Sequence, residues 1–239
     1  MTEEVFREDA YCRECEAEVV AVNELGGIIL NRTIFYAASG GQPGDSGRLI
    51  WDGGETRIAV TVKGKTAEED IVHVPAEGEA KPPVGAAVRC VIDWDRRHQH
   101  MRMHTAMHLL CSLLPFGVTG SNFTAEKGRI DFDAGDQLPT REELQAKLNA
   151  LVEADAPVST IWITDAELDA KPELVRTMSV QPPRGQGRIR LLNIEGIDLQ
   201  PCGGTHVAHT GEIGPLDVLK IESKGARNKR VSMAFGAKV

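Results

Sequence analysis

Two short motifs limit what this chain can become: His104-Thr105-Ala106-Met107-His108 and Cys202-Gly203-Gly204-Thr205-His206. Each sets two soft or borderline metal donors four positions apart. Together they supply three imidazoles and a thiol, the kind of set a zinc ion prefers. The first pair lies in a stretch without Gly or Pro, residues 94–114 (WDRRHQHMRMHTAMHLLCSLL). That stretch reads as one long helix stopped by Pro115. On a helix, positions i and i+4 share a face, so both imidazoles can reach one ion. The second motif follows Pro201 in a loop whose paired glycines let the backbone bend closely around a metal. A fold that brings these segments together is the first requirement.

Other donors compete weakly. His100 lies one turn before His104 and is read as a residue that orients a ligand or faces RNA. Cys111 sits in the apolar run LLCSLL and is read as core. Cys12-x-x-Cys15 has no second pair and is read as incidental. HTAMH lacks the Glu of HExxH, which removes the general base of a metalloprotease.

Before Asp93 the chain has another character. Residues 16–22, 26–32, 47–51, 55–64, 70–74 and 86–93 are short, rich in Val and Ile, and separated by Gly, Pro or acidic turns. That is the pattern of a small antiparallel β barrel. After the long helix, strands are expected near 117–124 and 128–133. A helix is expected over 141–154, where Thr140 and Glu143 make a capping box. Further strands are expected at 158–164, 188–194, 214–222 and 229–235. The predicted fold is α+β: a β-barrel-like domain over 1–93, then a two-layer α+β domain over 94–239 with an antiparallel sheet and long helices.

With 239 residues the chain can bury a sizeable core, and a net charge of −8 argues against wholesale coating of nucleic acid. Basic residues nevertheless gather at Arg96, Arg97 and Arg102, at Arg184, Arg188 and Arg190, and at Lys224, Arg227, Lys229 and Arg230. They flank the metal half-sites and the closing strands, a placement that suits an anionic ligand. An odd number of cysteines and an acidic N-terminus without a signal-peptide pattern predict a reducing, cytoplasmic setting and no membrane association. Ser39-Gly40-Gly41-Gln42-Pro43-Gly44-Asp45-Ser46-Gly47 fits no nucleotide loop. It reads equally as a turn with positive φ or as a loop presenting N–H groups to a ligand.

The segments GGQPGDSG (40–47), IDWDRRHQHMRMHTAMHLL (92–110), KGRIDFD (127–133) and PCGGTHVAHTGEIG (201–214) resemble the editing region of alanyl-tRNA synthetases and its freestanding relatives, the AlaX proteins. The resemblance covers essentially the whole chain, and its architecture is similar to the medium-length AlaX subgroup. It implies a trans-acting deacylase for mischarged tRNA(Ala), with seryl or glycyl esters as substrates and Zn2+ as cofactor, held by His104, His108, Cys202 and His206. Nothing resembles a class II aminoacylation core, so ATP use is not expected. No protein base is identified, and catalysis is expected from a zinc-bound water or from the substrate itself. Four protein ligands close a tetrahedral shell, whereas catalysis needs an open position. The preferred resolution keeps three ligands bound while substrate or water completes the shell.

A pocket favours serine over the smaller alanine by hydrogen-bonding the extra hydroxyl. Thr119, Ser121, Asn122 and Thr124, after the long helix, are the candidates for that contact. Gln42 and Asp45 are expected to bring the Gly-rich loop to the CCA end or the amino acid. Arg96, Arg97, Arg184, Lys224, Arg227 and Arg230 are expected to hold tRNA phosphates. The alternative is a non-catalytic, zinc-stabilised tRNA-binding module; a small-molecule zinc hydrolase is a third reading.

Overall fold

A computed structural model describes residues 2–66, 70–178 and 187–237. They form two compact units, Met1–His100 and Met101–Val239. The architecture is α+β with several antiparallel sheets, as the patterning predicts. No helix among the described residues is long and apolar enough to cross a membrane.

The first unit opens with the two-residue strand β1 (Glu3–Glu4) and a 3-10 turn, Val5–Arg7. Strands β2 (Glu14–Val22), β3 (Ile28–Leu30), β4 (Arg32–Thr33), β5 (Gly47–Trp51), β6 (Gly54–Lys63), β7 (Ile71–Pro75) and β8 (Ala87–Ile92) follow. Six of them close a barrel in the order β2-β3-β7-β6-β5-β8. Alternation builds it: Ala17 and Val19 point inward on β2 while Glu14, Glu16 and Glu18 face out, and Val88, Cys90 and Ile92 point inward on β8. The expected strand over 26–32 is broken at Asn31, because β4 leaves the barrel to pair in parallel with β1. Two-residue strands carry no period, so sequence could not show them.

The Gly-rich stretch belongs to this unit, and local packing accounts for each of its glycines. Ser39 and Gln42 exchange backbone hydrogen bonds at 3.2 and 2.9 Å. Between them Gly40 and Gly41 hold φ of +57° and +85°, as a two-residue reversal requires. A Cβ on Gly44 would collide with the Thr61 carbonyl oxygen, and one on Gly47 with that of Val91. Of the two readings open to this stretch, the turn suffices.

Helix α1 (Trp94–Leu113) follows β8, and the Asp93 carboxylate caps it by accepting from the Arg96 N–H at 3.2 Å. The second unit then contains β9 (Val118–Phe123), β10 (Lys127–Asp133), α2 (Arg141–Glu153), β11 (Val158–Ile163), α3 (Asp165–Asp169), β12 (Ile189–Ile194), β13 (Asp198–Pro201), β14 (Leu216–Ser223) and β15 (Asn228–Phe235). One antiparallel sheet runs β14-β15-β10-β9 and a second runs β11-β12-β13. The Thr140–Glu143 capping box forms as read, and α2 buries Leu144, Leu148 and Val152. Asn149 and Gln145 tie that helix to β14 through Leu216 and Val218. Helix α3 carries a second capping box, Thr164 with Glu167, a signal legible in the sequence but not used.

Candidate metal centre

Helix α1 and the loop after β13 meet at one point. His104 and His108 stand one turn apart on α1, while Cys202 and His206 come from the loop between Pro201 and the 3-10 turn Thr210–Ile213. The four donor atoms lie within 4.8 Å of one another. Cys202 Sγ is 3.2 Å from His206 Nε2 and 3.6 Å from His104 Nε2. Residues His104, His108, Cys202 and His206 therefore form a group able to bind a metal ion.

The donors fit that role chemically. Desolvation pushes His108 down to about 4 and holds His206 well below its ordinary value, with the neighbouring imidazoles and Arg190 adding to the effect at His206. Both rings are thus neutral near pH 7, the form that gives a lone pair to a cation. His108 Nδ1 is buried without a hydrogen bond in the protein, as a metal-directed nitrogen would be. Gly204 N–H lies 3.5 Å from Cys202 Sγ, a donor that favours the thiolate.

Residues that sequence reasoning did not single out hold these donors. The buried Thr105 hydroxyl donates to the Met101 carbonyl at 2.9 Å and accepts from Val207 N–H at 3.3 Å. His206 Nδ1 is 3.2 Å from the same oxygen. Since that hydroxyl's proton is used on Met101, His206 donates through Nδ1, leaving Nε2 as the donor atom toward a metal. Gln200, whose amide nitrogen donates to Asp198, stands close enough to the His108 ring to offset part of the burial effect on it. Arg190, expected in a basic cluster, is buried, and its guanidinium donates to the carbonyls of Cys202 at 3.0 Å and Gly204 at 2.8 Å. Phe123 lies against His104 with ring centroids 5.1 Å apart. The signal for Thr105 was its place inside the HTAMH motif, and for Gln200 its place two residues before Cys202. Thr105→Val keeps the volume and removes the acceptor. Zinc affinity, read by competition with a chromogenic chelator, should fall about 10- to 100-fold, and an unchanged affinity would mean that packing alone orients His206.

The remaining candidates scatter. On β9, Ser121 is exposed and shares a sheet face with Phe123, because alternate residues point the same way. Asn122, also exposed, points to the opposite face. Thr119 sits at a β-bulge with its hydroxyl on Asn228 Oδ1 at 2.9 Å, and Thr124 caps the turn to β10, accepting from Glu126 and Lys127 N–H. Asp45, expected at the substrate, is fully buried and accepts from Arg97 and from Tyr36 N–H at 2.7 Å. Gln42 is also buried, inside the turn already described.

Arg97, expected on phosphate, is fully buried as well, so that role is corrected: its guanidinium holds Asp45 and the carbonyls of Ala10 and Ile34. Arg96 is half-buried and donates to the Gly44 carbonyl at 3.4 Å. Arg227 pairs with Asp133 at 2.7 Å, Arg230 with Asp131 at 2.6 Å and Lys224 with Glu222 at 3.7 Å. The closing strands thus bring their own counter-ions, although exposed pairs are worth only about 0–1 kcal/mol and a phosphate can displace them. Arg184 lies outside the described residues. His100 is buried, with desolvation pushing it down to about 4. Cys111 is core, as read, and burial pushes its thiol up to about 12. Cys12 Sγ donates to the Glu14 carbonyl, while Cys15 lies opposite Cys90 across β2 and β8.

Comparison with known proteins adds an independent line. Residues 189–232 match the family described as threonyl and alanyl tRNA synthetase second additional domain. Residues 8–96 match that described as tRNA synthetases class II (A). The second match covers β2 to β8, so the kinship with the synthetases extends to the segment before the metal motifs. The chain is 35% identical over 241 residues to the alanyl-tRNA editing protein AlaX-M of Methanosarcina acetivorans, covering 97% of this chain and 98% of that protein. It is 36% identical to AlaX-M of Saccharolobus solfataricus, covering 97% and 98%. It is also 36% identical to an alanine–tRNA ligase of Pyrobaculum neutrophilum, over 92% of this chain but 25% of the ligase.

Proposed function

This chain belongs to the AlaX family of alanyl-tRNA editing proteins, and from that premise we propose that it hydrolyses in trans the ester of mischarged tRNA(Ala), seryl or glycyl, at a zinc centre. One observation carries the reading: three imidazoles and a thiol from distant segments converge within 4.8 Å. A zinc ion held there by His104, His108, Cys202 and His206 would supply a concentrated positive charge for drawing the amino acid or the terminal ribose into place.

Placement is the chain's own contribution. An aminoacyl ester is labile already, so orienting it and excluding bulk water do more than a strong nucleophile would. Thr105, Gln200 and Arg190 fix the donor loop and rings, and Phe123 closes one side of His104. Ser121, exposed on the Phe123 face of β9, is the residue for the serine hydroxyl. A polar partner of that kind raises the rate on serine relative to alanine, because the analogue without a hydroxyl leaves it unpaired. Lys224 and Arg227, on the turn between β14 and β15, exchange their carboxylate partners for phosphate, which gives salt-sensitive binding.

The test is incubation with Ser-, Gly- and Ala-tRNA(Ala), with and without a chelator. Hydrolysis of the seryl or glycyl ester, sparing Ala-tRNA(Ala), lost with chelator and restored by zinc, is the expected result. Tight tRNA binding without turnover would instead support the zinc-stabilised binding module, toward which a complete four-donor set also points. Turnover of small esters with indifference to tRNA would support the small-molecule hydrolase.

A further inference from the structure

Strand β11 is exposed along most of its length and forms an edge of the sheet β11-β12-β13. Its large side chain Trp162 is 39% exposed, an unusual placement for the biggest apolar group in a chain with 3 tryptophans. The Arg188 guanidinium, also exposed, lies 5.7 Å from the centre of that ring. The pair stands apart from the apolar cluster of Leu168, Ile189 and Leu191, which covers the opposite face of the sheet.

Register decides which way Trp162 faces. Trp162 is directly opposite Arg190, and Leu192 is opposite both Thr160 and Gln200. Residues directly opposite in antiparallel strands share a face, and so do alternate residues along a strand. Trp162, Arg190 and Gln200 are therefore on one face. Arg190 donates to the carbonyls of Cys202 and Gly204 in the donor loop, and Gln200 neighbours His108. Trp162 is one strand spacing from Arg190, about 5 Å, and on the order of 10 Å from Gln200.

We infer that Trp162 and Arg188 form a stacking platform beside the metal centre for the single-stranded 3′ end of the tRNA. The inference rests on the editing reading above. An ester carried on a terminal ribose brings unpaired nucleotides with it, and these must leave the site along its wall. An exposed indole offers a base a π-face regardless of sequence, and an adjacent guanidinium offers the backbone a cation. Edge-strand exposure, the aromatic–arginine pair and the shared face with the donor shell fit that occupant together.

The experiment compares wild type with Trp162→Ala, Trp162→Phe and Arg188→Gln. Trp162→Ala should raise KM for Ser-tRNA(Ala) about 5-fold or more, with Trp162→Phe keeping most of the affinity. Zinc content should be unchanged, and hydrolysis of seryl-adenosine, which lacks the upstream nucleotides, should fall much less than that of the full tRNA. A short uncharged RNA ending in CCA should quench tryptophan fluorescence, and Trp162→Phe should abolish the quench. An unchanged KM, equal losses on seryl-adenosine and tRNA, or a change in oligomeric state without a change in KM would overturn the platform. The last outcome would place a second copy of the chain on β11. If wild type hydrolyses no ester, the editing reading fails, and the CCA quench still decides the platform by itself.

Discussion

Cys202→Ala and His206→Ala should each lose most bound zinc and slow deacylation of Ser-tRNA(Ala) by more than about 100-fold, a larger loss than removing an orienting partner produces. The expectation follows from how few donors there are. Four atoms converge within 4.8 Å, and two of them, in Cys202 and His206, come from a single loop. Removing Cys202 takes away the only thiolate and the acceptor near Gly204 N–H. Removing His206 takes away the ring that Thr105 orients. Zinc content by mass spectrometry and single-turnover hydrolysis, measured on the same preparations, separate two outcomes. A variant that keeps zinc but not the rate identifies a donor that serves the reaction and is dispensable for holding the ion. A variant that keeps both shows that its residue is not a necessary ligand.

The acid side of the same experiment has a defined sign. His108 sits at about 4 and His206 well below its ordinary value, because burial disfavours their protonated forms. In the unfolded chain both would titrate near 6.5. Below that value the unfolded state binds protons that the folded state refuses, so metal-free protein loses stability as pH falls from about 6.5 toward 4. Ligation opposes this loss, since a bound ion needs the same neutral rings.

Much of this arrangement was legible in the chain, and the misses have physical causes. The barrel strands, α1, α2 and the four donors follow from periodicity and spacing, signals that depend on long segments or on paired chemistry. Strands β1, β4 and β13 were missed because two to four residues carry no period. The basic clusters mixed buried and exposed residues, Arg97 and Arg190 inside and others paired outside, because sequence records charge without its partner. Arg227, Arg230 and Lys229 meet Asp133, Asp131 and Asp136 across the sheet. Register, which no local pattern fixes here, puts Trp162 on the face of Arg190 and Gln200. Thr105 shows the converse: it was in view inside HTAMH, but its role needed the loop that arrives from the far end of the chain.

The second large effect concerns the barrel. Arg97→Ala should destabilise the first unit by about 3–5 kcal/mol, because it leaves the fully buried Asp45 carboxylate without a counter-charge. Arg97 makes four hydrogen bonds from its three nitrogens: Nε and Nη2 to Asp45, Nη1 to the Ala10 carbonyl, and Nη2 also to that of Ile34. Lysine cannot reproduce that fork, so Arg97→Lys should recover little. Asp45→Asn should cost less than Arg97→Ala, since the amide still accepts from Tyr36 N–H and the lone arginine keeps two carbonyls. A double replacement by apolar residues of similar volume, Asp45→Leu with Arg97→Met, should restore much of the loss, since no unpaired charge remains. Urea unfolding followed through Trp51 and Trp94, both in the first unit, reads the effect in a Trp162→Phe background. An Arg97→Ala midpoint equal to wild type would show that water reaches Asp45. It would return both residues to the candidates for ligand contact, because a hydrated carboxylate and guanidinium beside a glycine turn could meet a substrate after all.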